Sequence, residues 1–293
     1  MNDAIGIVGL GLVGRALADR LSGSGAALRG CDPSMEAASA AAAAGIAIDP
    51  DVAALAARSD VLIVCVLDDA QLASVLAALP VRPPLPRLLV NAATCSAQAA
   101  DAAAGALLER GIALIELPFS GSSEQIRAGE ALALLGATEP DRQRFAPLLE
   151  RIAPRACWVG APGAAARAKL ASNLVLGLNR AALAEGLALA AALGLDADRF
   201  LALLRDSPAY SRAVDTAGAR MVERRFDPPV SRLRQHRKDL RLIVDAAVRA
   251  GLDLPLASAH AGLLDRAIDA GLGDLDNAAL IAALDPQRFA PRR

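Results

Sequence analysis

An excess of charge of either sign is the first thing this sequence lacks. Its 31 Lys and Arg against 32 Asp and Glu leave a formal net charge of -1. Without a global field, neither nucleic acid nor an anionic membrane is an expected partner. Cysteine is scarce too: Cys31, Cys65, Cys95 and Cys157 stand far apart and form no C-x-x-C pair. That spacing excludes a disulfide framework and a thiolate metal site, and it reads as reduced thiols in a cytoplasmic protein. The apolar stretch "AIGIVGLGLVG" follows Asp3 and has no basic n-region, so it is not expected to be a signal peptide. No apolar run is expected to span a membrane, because Asn173, Asn179, Arg180 and Glu185 break the longest candidates. Internal repeats and low-complexity linkers are missing, and the alanine richness is a compositional bias. What remains is a globular chain, 54% hydrophobic and 22% charged, whose 293 residues suffice for two domains.

The residues that are present follow two grammars. Short apolar runs at 5–8, 27–31, 61–66, 88–91 and 112–116 alternate with helical segments at 13–21, 35–44, 70–79 and 97–110. Runs at 132–136 and 158–160 add two strand candidates. This alternation predicts an α/β domain, a mostly parallel sheet covered by helices on both faces. After "GAPG" (160–163) the strand signal stops. One long helix is expected over about 164–193, then helices at 197–205, 209–224, 231–250, 255–270 and 277–284, with glycines supplying the stops.

The first apolar run leads directly into "GLGLVG", which places Gly9, Gly11 and Gly14 in G-x-G-x-x-G spacing. Each glycine has its own purpose: a tight turn, close approach of backbone to a pyrophosphate, and close packing of helix on strand. The helix opening at Leu12 and Val13 then offers free N–H groups to phosphate. Asp32, in "GCDPS" at the end of the second strand, is placed to bind a ribose. A carboxylate accepts hydrogen bonds from a 2′-hydroxyl and repels a 2′-phosphate, so Asp32 favours NAD over NADP. Arg29, just upstream, is the residue that could weaken this inference.

Three further stretches complete the pattern: "NAATCS" (91–96), "ELPFSGSSEQIRAGEALALLGA" (116–137) and "GAAARAKLASN" (163–173). Together with "GIVGLGLVGRALADRL", "EGLALAAALGLD" and "RKDLRLIVDAAVRAGLDLP", they cover nearly the whole chain in order. In this set the chain resembles the β-hydroxyacid dehydrogenase family, of the 3-hydroxyisobutyrate dehydrogenase and tartronate semialdehyde reductase type. The resemblance implies a Rossmann domain (1–162), then an all-α domain (163–293) that begins with the long interdomain helix. It also implies assembly as a homodimer or homotetramer, NAD or NADP as cofactor, and a small hydroxy acid as substrate. Lys169 matches the family's catalytic lysine and Asn173 the asparagine beside it. Ser120, Gly121 and Ser122 match the loop that holds the substrate carboxylate, Thr94 a threonine near the nicotinamide, and Lys238 with Asp239 the family's "KDL". Several positions depart from the pattern: Glu116 replaces an aspartate, Ala93 a serine, Ser122 and Ala165 glycines, and Val230 a phenylalanine.

The chemistry also follows from the residues. Oxidising an alcohol needs a base for the hydroxyl proton and a scaffold that holds the C–H against the nicotinamide. A lysine partly withdrawn from water gives up its proton more readily, which suits that task. The plainer readings are a snorkelling Lys169, a packing amide at Asn173, turn serines at Ser122 and Ser123, and a structural Lys238–Asp239 ion pair. His236 reads as peripheral, Cys95 as a small filler, and "RLRQHRK" (232–238) as a solvated helix face. Rival functions are a related imine or sugar-acid reductase, and a dinucleotide-binding scaffold without catalysis.

Overall fold

The computed structural model describes residues 3–23 and 25–291. The chain divides into two compact units, one ending at Lys169 and the other starting at Leu170. The first begins with β1 (Ala4–Val8), α1 (Leu12–Ser22), β2 (Ala27–Cys31), α2 (Met35–Ala43), β3 (Ala47–Ile48) and α3 (Val52–Ala56). It continues through β4 (Val61–Val64), α4 (Asp69–Ala78), β5 (Leu88–Asn91), α5 (Ala97–Leu108) and β6 (Ala113–Glu116). It closes with β7 (Phe119–Ser120), α6 (Ser123–Ala128), β8 (Leu132–Gly136), α7 (Glu139–Arg144), α8 (Ala146–Ile152) and β9 (Ala156–Gly160).

Strand order is 3-2-1-4-5-6-8-7, with β9 paired to β8. Every pairing from β3 to β6 is parallel, while β8 is antiparallel to β6 and β7. This is a Rossmann sheet, and its order reverses between β1 and β4, where an open α/β sheet leaves a crevice beyond the strand ends. The strands read as continuous apolar runs because both faces are covered. In β4, Val61 and Ile63 enter one buried cluster and Leu62 and Val64 the other. Ser34, Asp51, Asp68 and Ser96 cap α2, α3, α4 and α5, each accepting an N–H three residues on. Helix α1 departs from this rule: its N-cap is Gly11, with no side chain to offer.

Helix α9 (Ala164–Ala192) starts in the first unit and continues into the second. Gly194, at φ 80°, ends it, as the Leu195 N–H bonds the Ala190 carbonyl at 2.9 Å. The second unit continues with α10 (Ala197–Arg205), α11 (Ala219–Glu223), α12 (Leu233–Arg249), α13 (Pro255–Ala267), α14 (Leu280–Leu284) and α15 (Pro286–Phe289). It is all-α, with Leu183, Ala184 and Leu187 of α9 packed among Leu201, Met221, Leu240, Leu264 and Ile281.

Two expectations need correction. The helix expected from residue 209 starts only at Arg212, because "SPAY" turns first, and Val214–Gly218 then forms a π turn. Helix α9 is long and apolar enough to cross a membrane by length and composition alone, with a window hydropathy of 1.4. Single polar residues break its apolar runs but hardly lower its average, so the run criterion missed it.

Candidate active site

The glycine loop follows from where each Cβ would fall. Gly9 sits at φ 87°, and a side chain there would meet the Cys65 carbonyl oxygen at 2.5 Å. A Cβ on Gly14 would overlap the Gly9 carbonyl oxygen, so helix α1 touches the loop backbone directly. Gly11, by contrast, has nothing within 4 Å of that position. Its missing Cβ leaves open space in front of the uncapped N–H groups of Leu12 and Val13, a cradle shaped for a pyrophosphate. Asp32 ties the loop down, accepting the Leu10 N–H at 2.7 Å through one oxygen and the Ser34 N–H at 2.8 Å through the other. Each oxygen keeps a second lone pair for a ribose hydroxyl. Arg29 is engaged elsewhere, in a bidentate pair with Asp49 at 2.7 and 2.9 Å.

The start of α9 is fixed by a residue to which the sequence gave no role. Glu116, at the end of β6, is 1% exposed, and its Oε2 accepts the N–H groups of Gly163 at 2.6 Å and Ala165 at 3.2 Å. A carboxylate at a helix N-terminus satisfies donors that the helix itself cannot. Room for the longer acid comes from Gly136, where a Cβ would stand 2.5 Å from Glu116 Oε2 and 3.0 Å from Ala165 Cβ. Its Oε1 is buried without a partner, and burial pushes the carboxyl above its ordinary 4.5, against the lowering effect of the helix N–H groups. The folded state therefore holds this proton more tightly than the unfolded chain does. Its contribution to stability is intact below pH 4.5 and declines as pH rises from there to the folded value. Glu116→Gln is expected to flatten that slope in urea unfolding measured from pH 4 to 8 (about that range). Glu116→Ala strands two buried donors and is expected to cost about 2–3 kcal/mol in the same assay. A loss below about 0.5 kcal/mol would remove Glu116 from this role.

One turn into α9, Lys169 is 7% exposed, and its Nζ donates to the Phe119 carbonyl at 2.6 Å. Phe119 directly precedes Ser120, so the ammonium is tied to the first residue of the serine loop. In that loop Ser122 caps α6: its hydroxyl accepts the Gln125 N–H at 3.2 Å, and its own N–H goes to Gln125 Oε1 at 2.9 Å. Ser122 thus builds a capping box, and Gly121 beside it brings the backbone close to Ala131. Thr94 lies half-buried in the loop after β5, where Asn91 Oδ1 accepts the Ala93 N–H at 3.1 Å. Cys95 is buried, with its sulfur 3.6 Å from Asn91 Nδ2. Within this unit the glycine loop, Asp32, Thr94 and Ser120 all follow the C-terminal ends of successive strands.

In the second unit Asn173, 6% exposed, donates through Nδ2 to Asp239 Oδ2 at 3.2 Å. Asp239 in turn pairs with Lys238 at 2.8 Å. The "KDL" motif is therefore more than a surface ion pair, since its aspartate orients the amide one turn past Lys169. His236 is not peripheral: Leu233, His236 and Leu240 form the buried stripe of α12, with Arg232 and Arg234 outside. Helical periodicity alone would have placed His236 on that inner stripe.

Comparison with known proteins agrees with this architecture. The family profile described as the NAD binding domain of 6-phosphogluconate dehydrogenase matches residues 4–160. The profile described as NAD-binding of NADP-dependent 3-hydroxyisobutyrate dehydrogenase matches residues 163–284. A probable 3-hydroxyisobutyrate dehydrogenase of Mycobacterium bovis is 31% identical, over 96% of this chain and 97% of its own. The chain belongs to the β-hydroxyacid dehydrogenase family. It is thus an NAD(P)-dependent enzyme of that family. The L-threonate dehydrogenase of Escherichia coli K12 is 29% identical over 94% of this chain and 93% of its own. The solved structure of Mycobacterium tuberculosis 3-hydroxyisobutyrate dehydrogenase with L-serine has a TM-score of 0.85 at 29% identity, covering 97% of this chain and all of that one.

Proposed function

We propose that this β-hydroxyacid dehydrogenase interconverts a small β-hydroxy acid and its semialdehyde or keto acid, with Lys169 as the general acid–base and NAD as the preferred cofactor. The observation that carries the reading is the buried Lys169 amine, anchored to the Phe119 carbonyl, with Asn173 one turn further along α9. The cradle of Gly9, Gly11, Leu12, Val13 and Gly14 fits a dinucleotide pyrophosphate, and Asp32 fits an unphosphorylated ribose. Thr94 and Lys238 are the further residues assigned to the cofactor. When bound, the nicotinamide supplies or accepts the hydride.

The chain's own residues do the rest. In the oxidative direction the Lys169 amine takes the hydroxyl proton as the carbonyl forms; in reduction its ammonium returns that proton to the oxygen. The hydrogen bond to Phe119 fixes Nζ without removing its capacity to exchange a proton. Asn173, oriented by Asp239, holds the reacting oxygen in reach. Ser120, Gly121 and Ser122 receive the carboxylate; because the Ser122 N–H is already bonded to Gln125, the Ser120 hydroxyl and the Gly121 N–H carry more of this task. Assembly as a homodimer or homotetramer belongs to the same reading. It is supported by Val175, Leu189 and Leu193 of α9, exposed by 59, 61 and 71%.

Steady-state turnover of the purified protein, with NAD and NADP against a panel of three- to five-carbon (roughly) hydroxy acids, tests this reading. Absence of turnover with every acid and both cofactors would refute it. Asp32→Ala is expected to weaken NAD by about ten-fold or more and NADP much less, since only the former uses the carboxylate. Arg29, held by Asp49, leaves no competing guanidinium for a 2′-phosphate. Equal loss for both cofactors in fluorescence titrations would overturn the Asp32 assignment.

A further inference from the structure

Helix α9 carries a second cation that the proposed chemistry does not use. Arg180 lies two helical turns, about 10 Å, beyond Asn173, and the 3.6-residue period returns it to the face that bears Lys169 and Asn173. Between them on that face is Gly177, where a Cβ would stand 2.6 Å from His236 Cε1, 2.7 Å from His236 Nε2 and 3.4 Å from His260 Nε2. The imidazoles of α12 and α13 therefore press on the bare backbone of α9, one turn before Arg180.

These groups are poorly satisfied by one another. The two Nε2 atoms are 3.0 Å apart, so one ring donates and the other accepts, and the pair cannot be doubly protonated. Burial first, then the Arg180 charge, holds His236 well below its ordinary value and brings His260 to about 4. His260 Nδ1 is buried with no hydrogen-bond partner. Half-buried Arg180 makes, among the described residues, no hydrogen bond and no ion pair within 4.0 Å. The carboxylate that acts on it from further away is Asp276. Asp276 is already committed to the N–H groups of Val230, Ser231 and Ala278 and to Arg220. A guanidinium withdrawn from water with its donors idle is costly, and an anion in front of it removes that cost.

We propose that Arg180, with His236 and His260 beside it, is a subsite for a second anionic group, carboxylate or phosphate, at the end of the substrate away from the reacting carbon. The subsite rests on the reading of Asn173 and Lys169 as the place of the reacting hydroxyl. An arginine leans toward its helix N-terminus and reaches back by about 6 Å. That leaves roughly 5 Å to Asn173, the span of three or four carbon–carbon bonds. The substrate class is then a hydroxy acid with two anionic ends rather than one with an apolar tail.

The sequence has 2 histidines, both in this cluster, so imidazole nitrogen NMR reads the site directly. Glutarate is the probe, titrated into the full-length wild-type protein, with acetate at equal ionic strength as control. A saturable shift of both imidazoles at about 1–10 mM glutarate is expected, weakened at least ten-fold in Arg180→Gln. In turnover, a hydroxy acid with a distal carboxylate should exceed its methyl-ended analogue about ten-fold in kcat/KM, and R180Q should bring that ratio toward one. Should R180Q not fold, Arg180→Lys keeps the charge without the paired donors and is expected to weaken glutarate by about 3–10-fold. No saturable shift, or the same shift in the arginine variants, overturns the subsite. Turnover of singly charged acids without preference for the doubly charged ones also overturns it, while leaving the proposed function standing. An intact glutarate shift with no turnover of any hydroxy acid upholds the anion site and refutes the proposed function.

Discussion

Lys169→Ala is expected to lower kcat by about 10²–10⁴-fold, the loss that follows removal of a positioned acid–base group. Alanine has the highest helix propensity, so α9 is not weakened by the substitution itself. The one contact known to be lost is the hydrogen bond to the Phe119 carbonyl, about 1 kcal/mol. A small stability change beside a large rate change separates chemistry from folding, and both are measured on one preparation by thermal unfolding and steady-state kinetics. Lys169→Arg sharpens the test. Its guanidinium keeps the charge but does not release its proton near neutral pH, so the loss should approach that of alanine. Added alkylamines are expected to restore part of the alanine variant's rate by standing in for the missing amine. Full kcat in Lys169→Ala would end the proposal that this side chain moves the proton.

Gly14→Ala and Gly11→Ala should fail in opposite ways. The methyl group on Gly14 would overlap a backbone oxygen of Gly9 that cannot move without breaking the loop. Overpacking against backbone of this kind is expected to cost about 3 kcal/mol or more, with loss of dinucleotide binding as a consequence. Gly11 has open space where its Cβ would be, so Gly11→Ala is expected to fold with a change below about 0.5 kcal/mol. That same open space is where the pyrophosphate must approach, and the added methyl is expected to weaken NAD by about ten-fold or more. Thermal unfolding with and without NAD distinguishes the two. Normal NAD affinity in Gly11→Ala would mean that the phosphates lie elsewhere.

The legible parts of the sequence were those with a short-range physical cause. Gly9, Gly11 and Gly14 are forced by sterics within one turn, and the strands by continuous apolar runs such as "VLIV" in β4. Lys169 and Asn173 were paired by helical spacing alone. Short elements escaped notice: β3 is 2 residues long and α3 is 5, too few for any period to register. Glu116 was visible only as a departure, because its partners, Gly163 and Ala165, lie far along the chain. Asp239 showed as half of an ion pair, and only the packing of α12 against α9 made it the residue that orients Asn173.

By itself the sequence determined the α/β unit followed by an all-α one, the phosphate cradle, and the helix that carries an amine and an amide one turn apart. Periodicity and backbone sterics are local, and a single chain of letters records them. Tertiary structure alone decided that a buried glutamate caps that helix, that an aspartate holds its asparagine, and that Arg180 faces two neutral imidazoles with no counter-ion close by. Those facts depend on which groups distant in sequence share a small volume shielded from water, where a missing partner costs most.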